Sequence, residues 1–168
     1  LHDALPIFRA PTGLRRLYGF DNLEATLKYQ LYVDPAHEFL LSAGIAHEFG
    51  GTGASRIADA VGVTEPALYF GKGMGDLSPA LDWLRPVAVT GIVDYQIRDR
   101  PDAETPRLFE AGIAVEYSLR YLEGNVRYLA LPEFIDRLTP VVESYYTIPA
   151  SHAVGVGTVG YVAPGLVY

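Results

Sequence analysis

Apolar and polar side chains alternate along residues 109–121 of this chain. One parity reads Phe-Ala-Ile-Val-Tyr-Leu-Tyr, and the other reads Glu-Gly-Ala-Glu-Ser-Arg. Successive side chains of a strand point to opposite faces, so the segment predicts a strand with one apolar and one polar face. It is longer than the ~5–6 residues of an ordinary strand and reaches the ~9–11 with which a tilted strand crosses a bilayer.

The same alternation, interrupted by turn residues, predicts about seven strands. A tight turn at Asp34-Pro35 joins the first two into a hairpin, and a Gly-rich connection runs from Gly50 to about Glu65. The chain is therefore predicted to be all-β and antiparallel. The predicted strands are 22–33, 38–49, 66–71, 84–97, 109–122, 137–147 and 157–168.

Two architectures fit this alternation. A soluble sandwich or barrel turns its apolar face inward, whereas a membrane barrel turns it toward lipid and keeps polar and small residues inside. Long strands, tyrosines near strand ends, charges of both signs on the polar parities and alternating short and long connections favour an antiparallel transmembrane up-and-down β-barrel. A soluble ligand-binding barrel or sandwich is the alternative.

The candidate functional residues are polar side chains on the strand parities opposite the apolar ones. In a barrel they would line the lumen and act on a solute through their field and the width they leave, rather than through catalysis. The predicted lumen-lining residues are Glu24, Lys28, Gln30, Glu38, Ser42, Glu48, Asp94, Glu110, Glu116, Arg120, Arg137 and Glu143.

Composition narrows the classes of function. The 168 residues include no cysteine, which excludes disulfides and thiolate metal sites, and their formal charge is −7. Scattered Lys and Arg in an acidic chain argue against a nucleic-acid partner. No uninterrupted apolar run reaches the ~18 residues of a membrane helix.

Several motifs suggest chemistry but match it poorly. The Gly-rich segment 49–61 follows neither dinucleotide-binding nor P-loop spacing, so a surface loop with a short helical turn at 55–61 is the better interpretation. His37, His47 and His152 do not stand at ligand spacing, and Ser151-His152 lacks a third group for nucleophilic catalysis. The sequence predicts no catalytic residue, cofactor or metal ligand.

Three parts of the chain carry a resemblance to a known family. The hairpin 27–45, the Phe-Gly-Lys-Gly-Met-Gly-Asp-Leu segment at 70–77 with 84–91, and the final Ala-Pro-Gly-Leu-Val-Tyr resemble Gram-negative outer-membrane barrels of the phenol-degradation meta-pathway transporter type. The resemblance implies a bacterial outer-membrane location, contact with lipid, and passive passage of small solutes, including hydrophobic or aromatic compounds. Two further hypotheses are a structural outer-membrane protein without an open pore and a membrane-embedded hydrolase.

The ends of the sequence shape the predicted domain organisation. Residues 1–7 resemble a translated sequencing adapter and are set aside. Residues 8–168 are then predicted to be part of a barrel whose full strand number is even and larger. If short turns face the periplasm, connections 50–65, 98–107 and 149–155 are expected outside the cell, with 123–136 a long periplasmic exception.

Overall fold

The alternating segments pair edge to edge into one sheet. The computed structural model describes residues 19–100, 105–150 and 155–168. Each strand pairs antiparallel with the next along the chain, which confirms the predicted antiparallel up-and-down arrangement. The sheet is not closed into a barrel, and β1 and β7 form its two edges. The strands are β1 (Leu23–Asp34), β2 (Phe39–Phe49), β3 (Val63–Gly73), β4 (Val87–Arg98), β5 (Leu108–Tyr117), β6 (Thr139–Pro149) and β7 (Val159–Val167).

Strand β3 begins earlier than predicted. The sequence pattern predicts a start at Pro66, directly after the Gly-rich connection that runs to about Glu65. The strand in fact begins at Val63, and its pairing with β4 passes from Thr64↔Ile97 to Ala67↔Asp94. No β4 partner is paired with Pro66, so the strand can contain this residue although proline has no N–H to donate.

Strand β5 ends earlier than predicted, at Tyr117 rather than Leu122. The hydroxyl oxygen of Ser118 accepts a hydrogen bond from the backbone N–H of Tyr121 at 3.1 Å. This N-cap begins a short helix, α1 (Leu119–Tyr121), and a wider helical turn follows at Leu122–Val126. The prediction that Arg120 lies on a strand is therefore wrong.

A β-bulge reverses the faces of β1 near its end. The pairing with β2 passes from Gln30↔Ser42 to Tyr32↔Leu41, so one residue of β1 is extra. Tyr32 consequently lies on the apolar face, with its ring centroid 6.1 Å from that of Phe39. The sequence pattern alone had placed Tyr32 on the polar parity.

The connections contain short helical turns. A 3-10 turn at Pro35–His37 is capped by Asp34, whose carboxylate accepts from the N–H groups of Ala36 and His37. The connection after β3 contains a 3-10 turn at Pro79–Leu84, and the one after β5 also contains α2 (Glu133–Asp136). Within the described ranges, no helix is long and apolar enough to span a membrane.

Residues 1–7, and with them the predicted adapter segment, lie outside the described residues. So does the Ser151-His152 pair. Segment 55–61 contains a helical turn, in which the Ala58 N–H donates to the carbonyl of Ala54 at 2.9 Å.

Apolar side chains cover one face of the sheet and remain exposed there. Leu27 is 71% exposed, Leu68 52% and Ile113 48%. Among the described residues, the buried apolar set consists of Val63, Ala67 and Leu122, too few to form a core between packed layers. One row of cross-strand partners on this outward face is Tyr29, Ala43, Leu68, Val93, Ala111, Tyr146 and Gly160.

Candidate functional site: the concave face

The opposite face of the sheet is concave. Lys28 of β1 and Tyr161 of β7, which belong to the two edge strands, line the same cavity of about 490 Å³. The sheet therefore curls around this face, which is called the concave face below. Its buried polar residues are Ser42, Asp94 and Glu110, each no more than 9% exposed.

The strand register arranges the concave face in rows. Cross-strand partners share a face, so the pairings identify which side chains are neighbours. The row called the acidic row contains Lys28, Gly44, Ala67, Asp94, Glu110 and Thr147. The adjacent row, called the tyrosine row, contains Gln30, Ser42, Tyr69, Ile92, Gly112, Tyr145 and Tyr161.

Glu110 is the centre of a hydrogen-bond network on the concave face. Its carboxylate accepts from the Tyr145 hydroxyl at 2.6 Å, from the Thr147 hydroxyl at 2.8 Å and from the Gln96 amide at 2.9 Å. These donors come from β4 and β6, on either side of the strand that carries Glu110. These three donors replace the hydrogen bonds to water that the carboxylate loses on burial, and they hold the carboxylate in place.

Asp94 lies directly across from Glu110 and is less well satisfied. The two residues are Cα partners in the β4–β5 ladder, and Asp94 is 7% exposed. Its Oδ1 atom has no hydrogen-bond partner among the described residues. The carboxylates whose charges act on Glu65 are Asp94, Glu110, Glu24 and Glu48. Negative charge is therefore concentrated in this part of the concave face.

The cavity beside the acidic row is lined by tyrosine rings and small residues. The rings of Tyr145 and Tyr161 stack with centroids 5.9 Å apart and planes at 27°. Gly112 lies beneath Tyr145, and a Cβ atom there would stand 2.9 Å from the ring carbon Cδ2. The ammonium of Lys28 lies 3.7 Å from the centroid of the Tyr69 ring, within cation–π range.

Nine of the twelve predicted lumen-lining residues lie on strand positions of the concave face. Pairing places Glu24 with Glu48, Gln30 with Ser42, Asp94 with Glu110, and Ala114 with Glu143, while Lys28 and Glu116 share the parity of their neighbours on this face. The nine are Glu24, Lys28, Gln30, Ser42, Glu48, Asp94, Glu110, Glu116 and Glu143.

The other three lie outside the strands, contrary to prediction. Glu38 follows the tight turn in a left-handed conformation (φ 49°), and its carboxylate accepts from the Gly75 N–H at 2.8 Å. Arg120 belongs to α1, as described above. Arg137 caps the end of α2 and pairs with Glu133 one helical turn earlier. Local hydrogen bonds to the connections, which alternation does not reveal, place all three.

Several residues of the concave face were not predicted. Glu65 was assigned to the Gly-rich connection because β3 was predicted to begin at Pro66. Tyr69, Tyr145 and Gln96 are not among the predicted lumen-lining residues. Parity could have identified two of these residues, because Glu65 and Tyr69 share the parity of Ala67 on β3.

Two carboxylates in the connections, those of Asp59 and Asp76, have basic partners. Asp59 pairs with Arg98 at 2.9 Å and Asp76 pairs with Lys72 at 2.7 Å. The side-chain hydrogen bond from Arg98 holds the pKa of Asp59 below its ordinary value, and the bond from Lys72 does the same for the pKa of Asp76. These pairs fasten connections to the strand ends.

In the part of the chain that the structure describes, no group of three or more metal-ligating side chains could hold a metal ion. No family model matches the chain, and neither the curated proteins nor the solved structures contain a significant match. The geometry of the two faces is therefore the basis for assigning a function.

Proposed function

We propose that this chain forms part of the wall of a bacterial outer-membrane β-barrel that lets small solutes pass. The observation that carries the proposal is the inversion of the two faces. Apolar side chains such as Leu27 and Ile113 are exposed, whereas Asp94 and Glu110 are buried on the concave face. A soluble sheet has the opposite arrangement, and a barrel in lipid has this one.

The lengths of the strands support the membrane-barrel part of this proposal. Strand β1 has 12 residues and β5 has 10, which meets the ~9–11 needed by a tilted strand in a bilayer. The free edges of β1 and β7 expose unpaired backbone groups that lipid cannot satisfy. Closure therefore requires further strands, from the same polypeptide or from another copy, and the cavity of the concave face becomes the lumen.

A spin-label accessibility scan along β5 in lipid bilayers tests the proposal. Labels at Ile113 and Val115 should be reached by a lipid-soluble quencher, and labels at Ala114 and Glu116 by a water-soluble one. The expected result is a period of two, in phase with the register of β4 and β5. Uniform access by the water-soluble quencher at all four positions would contradict the membrane barrel and favour a water-exposed sheet.

A barrel without an open pore is the second candidate. It is favoured by the long connection after β5, where Leu122 is 3% exposed although it lies outside the sheet. The Arg127 guanidinium carbon there lies 5.8 Å from the centroid of the Trp83 ring, which links two connections at the same end of the sheet. Measuring conductance across planar bilayers distinguishes the two candidates, because a closed barrel gives no channel events.

A further inference from the structure

The geometry points to a binding site for short zwitterionic solutes, about as long as a dipeptide, in the cavity of the concave face. The ammonium group of the solute would lie at Glu143 and its carboxylate at Lys28. This inference rests on the proposed function, because the cavity becomes part of a lumen only if the sheet closes. It names the class of solute, which neither strand length nor the inverted faces determine.

The cavity carries one charge of each sign. Of the described residues that line it, only Lys28 and Glu143 have charged side chains. Both are exposed, and neither forms an ion pair with another described residue. A cation would leave the ammonium of Lys28 unpaired, and an anion would leave the carboxylate of Glu143 unpaired. A solute with an ammonium at one end and a carboxylate at the other pairs both.

The Lys28 ammonium lies inside the cavity rather than at the edge of the sheet. It is 3.7 Å from the centroid of the Tyr69 ring, two strands away on β3. A Cβ atom at Gly44 of the intervening strand would stand 3.2 Å from Tyr69 Cε2, so glycine there allows the ring to lie toward β1. The cation–π contact holds the ammonium without neutralising it, and its N–H donors can still bind a carboxylate.

Glu143 lies on the other side of the cavity, on β6. It belongs to a third row of cross-strand partners, which adjoins the tyrosine row and also lines the cavity. This row contains Leu40, Gly71, Thr90, Ala114 and Glu143. Both cross-strand neighbours of Glu143 are alanines, Ala114 and Ala163. Their small side chains leave the carboxylate accessible to a solute.

The spacing of the two charges sets the length of the solute. Three strand intervals separate Tyr69 on β3, beneath the Lys28 ammonium, from Glu143 on β6. At ~4.8 Å each they give roughly 14 Å along the wall, and less across the curl. Two charge-assisted hydrogen bonds of ~2.8 Å leave at most roughly 9 Å for the solute. Two extended residues span ~7 Å, whereas a single amino acid spans only ~3.5 Å.

The wall between the two charges fits the less polar middle of such a solute. Ile92 and the rings of Tyr145 and Tyr161 line it. Tyr145 packs over Gly112, which keeps its ring close to the wall and the space above it open. The volume of about 490 Å³ is within the ~300–1,000 Å³ of small-molecule sites, which combine apolar walls with a few polar groups that orient the ligand.

A series of matched compounds tests the inference on the unaltered protein in lipid vesicles. Alanylalanine is a zwitterion, its amide carries only the ammonium, and N-acetyl-alanylalanine carries only the carboxylate. Saturation-transfer NMR at neutral pH should show that alanylalanine binds about two- to fivefold more tightly than either analogue, the gain from one exposed ion pair. Free alanine, too short to reach both groups, should bind more weakly than alanylalanine. Equal affinities across the series would overturn the inference.

Substitutions assign each end of the solute to its partner. Lys28→Met should bind alanylalanine no more tightly than the amide, and Glu143→Gln no more tightly than the acetylated compound. The double variant loses both preferences at unchanged net charge. The matched control Lys72→Met/Asp76→Asn also keeps the net charge and removes an ion pair at a connection, so it should keep both preferences. Unchanged preferences in the cavity variants, or equal losses in the control, would overturn the inference.

Conductance across planar bilayers separates failure of this inference from failure of the proposed function. Channel events from a protein that binds the four compounds equally would overturn the zwitterion site and leave the proposed pore standing. Absence of channel events would overturn the pore itself, and with it the assignment of the cavity to a path for solutes.

Discussion

The two faces of β5 differ in which side chains they bury and which they expose. Val115 points outward and is 42% exposed, while Glu110 points into the concave face and is 9% exposed. In a protein dissolved in water, the apolar residue would be buried and the carboxylate exposed. In the proposed barrel, this reversal would place the apolar face against lipid and the charged residues along the lumen.

The most damaging test of this comparison places a cation on each face in turn. Val115→Arg should destabilise the barrel in lipid by about 2–4 kcal/mol, the cost of a cation near the bilayer midplane. Ala114→Arg lies one residue away on the concave face, beside the cavity, and should cost much less. Urea unfolding in lipid vesicles measures both. Equal losses of stability in the two variants would contradict a lipid-facing surface. If the outward face were in water, Val115 is exposed enough, at 42%, for arginine to replace it at little cost.

The second test uses a glycine beneath an aromatic ring on each face. At Gly112 a Cβ atom would stand 2.9 Å from Tyr145 Cδ2 and 3.2 Å from Ile92 Cγ2. Gly112→Ala should therefore push Tyr145 into the lumen, lowering stability by about 1–3 kcal/mol through overpacking and also lowering conductance.

The matched glycine is Gly91 on the outward face, where a Cβ would meet the ring of Phe70. Gly91→Ala should lower stability by a similar mechanism but leave single-channel conductance unchanged, since the displaced ring would face lipid in the proposed barrel. If Gly91→Ala narrowed the pore as much as Gly112→Ala, the assignment of the two faces would be wrong.

The third test compares two adjacent tyrosines of β6. The Tyr145 hydroxyl donates to Glu110, so Tyr145→Phe removes one of three donors to a buried carboxylate and should cost about 1 kcal/mol. Tyr146 lies on the outward face and is 47% exposed. Tyr146→Phe should change stability less. The unfolding midpoints of the two variants should be measured in parallel. Equal midpoints would contradict the hydrogen-bond network at Glu110.

Alternation predicted the sheet well because strand faces depend on a period of two, which local sequence records. It placed nine polar residues on one face, Asp94 and Glu110 among them. It failed where a single side chain redirects the backbone, as with the Ser118 cap after β5 and the bulge near Tyr32. It also left open which face is buried, because sandwiches and barrels share the same alternation and only curvature distinguishes them.

The smallest expected effect concerns carboxylates that lie on neither face. Hydrogen bonds from Arg98 and Lys72 lower the pKa values of Asp59 and Asp76 below the ordinary 3.8. A group with a lowered folded-state pKa contributes stability above its unfolded value, and that contribution disappears as the pH falls through the folded value. Both carboxylates are exposed, so solvent screening keeps each contribution small.

Unfolding measured in vesicles from pH 5 to below 3 should therefore show a slight loss below about pH 3.8, and Asp59→Asn/Asp76→Asn should reduce that loss. Single-channel conductance of the same variant should remain that of the unaltered protein at neutral pH. A change in conductance would mean that charge in the connections, rather than on the concave face, controls passage through the proposed barrel.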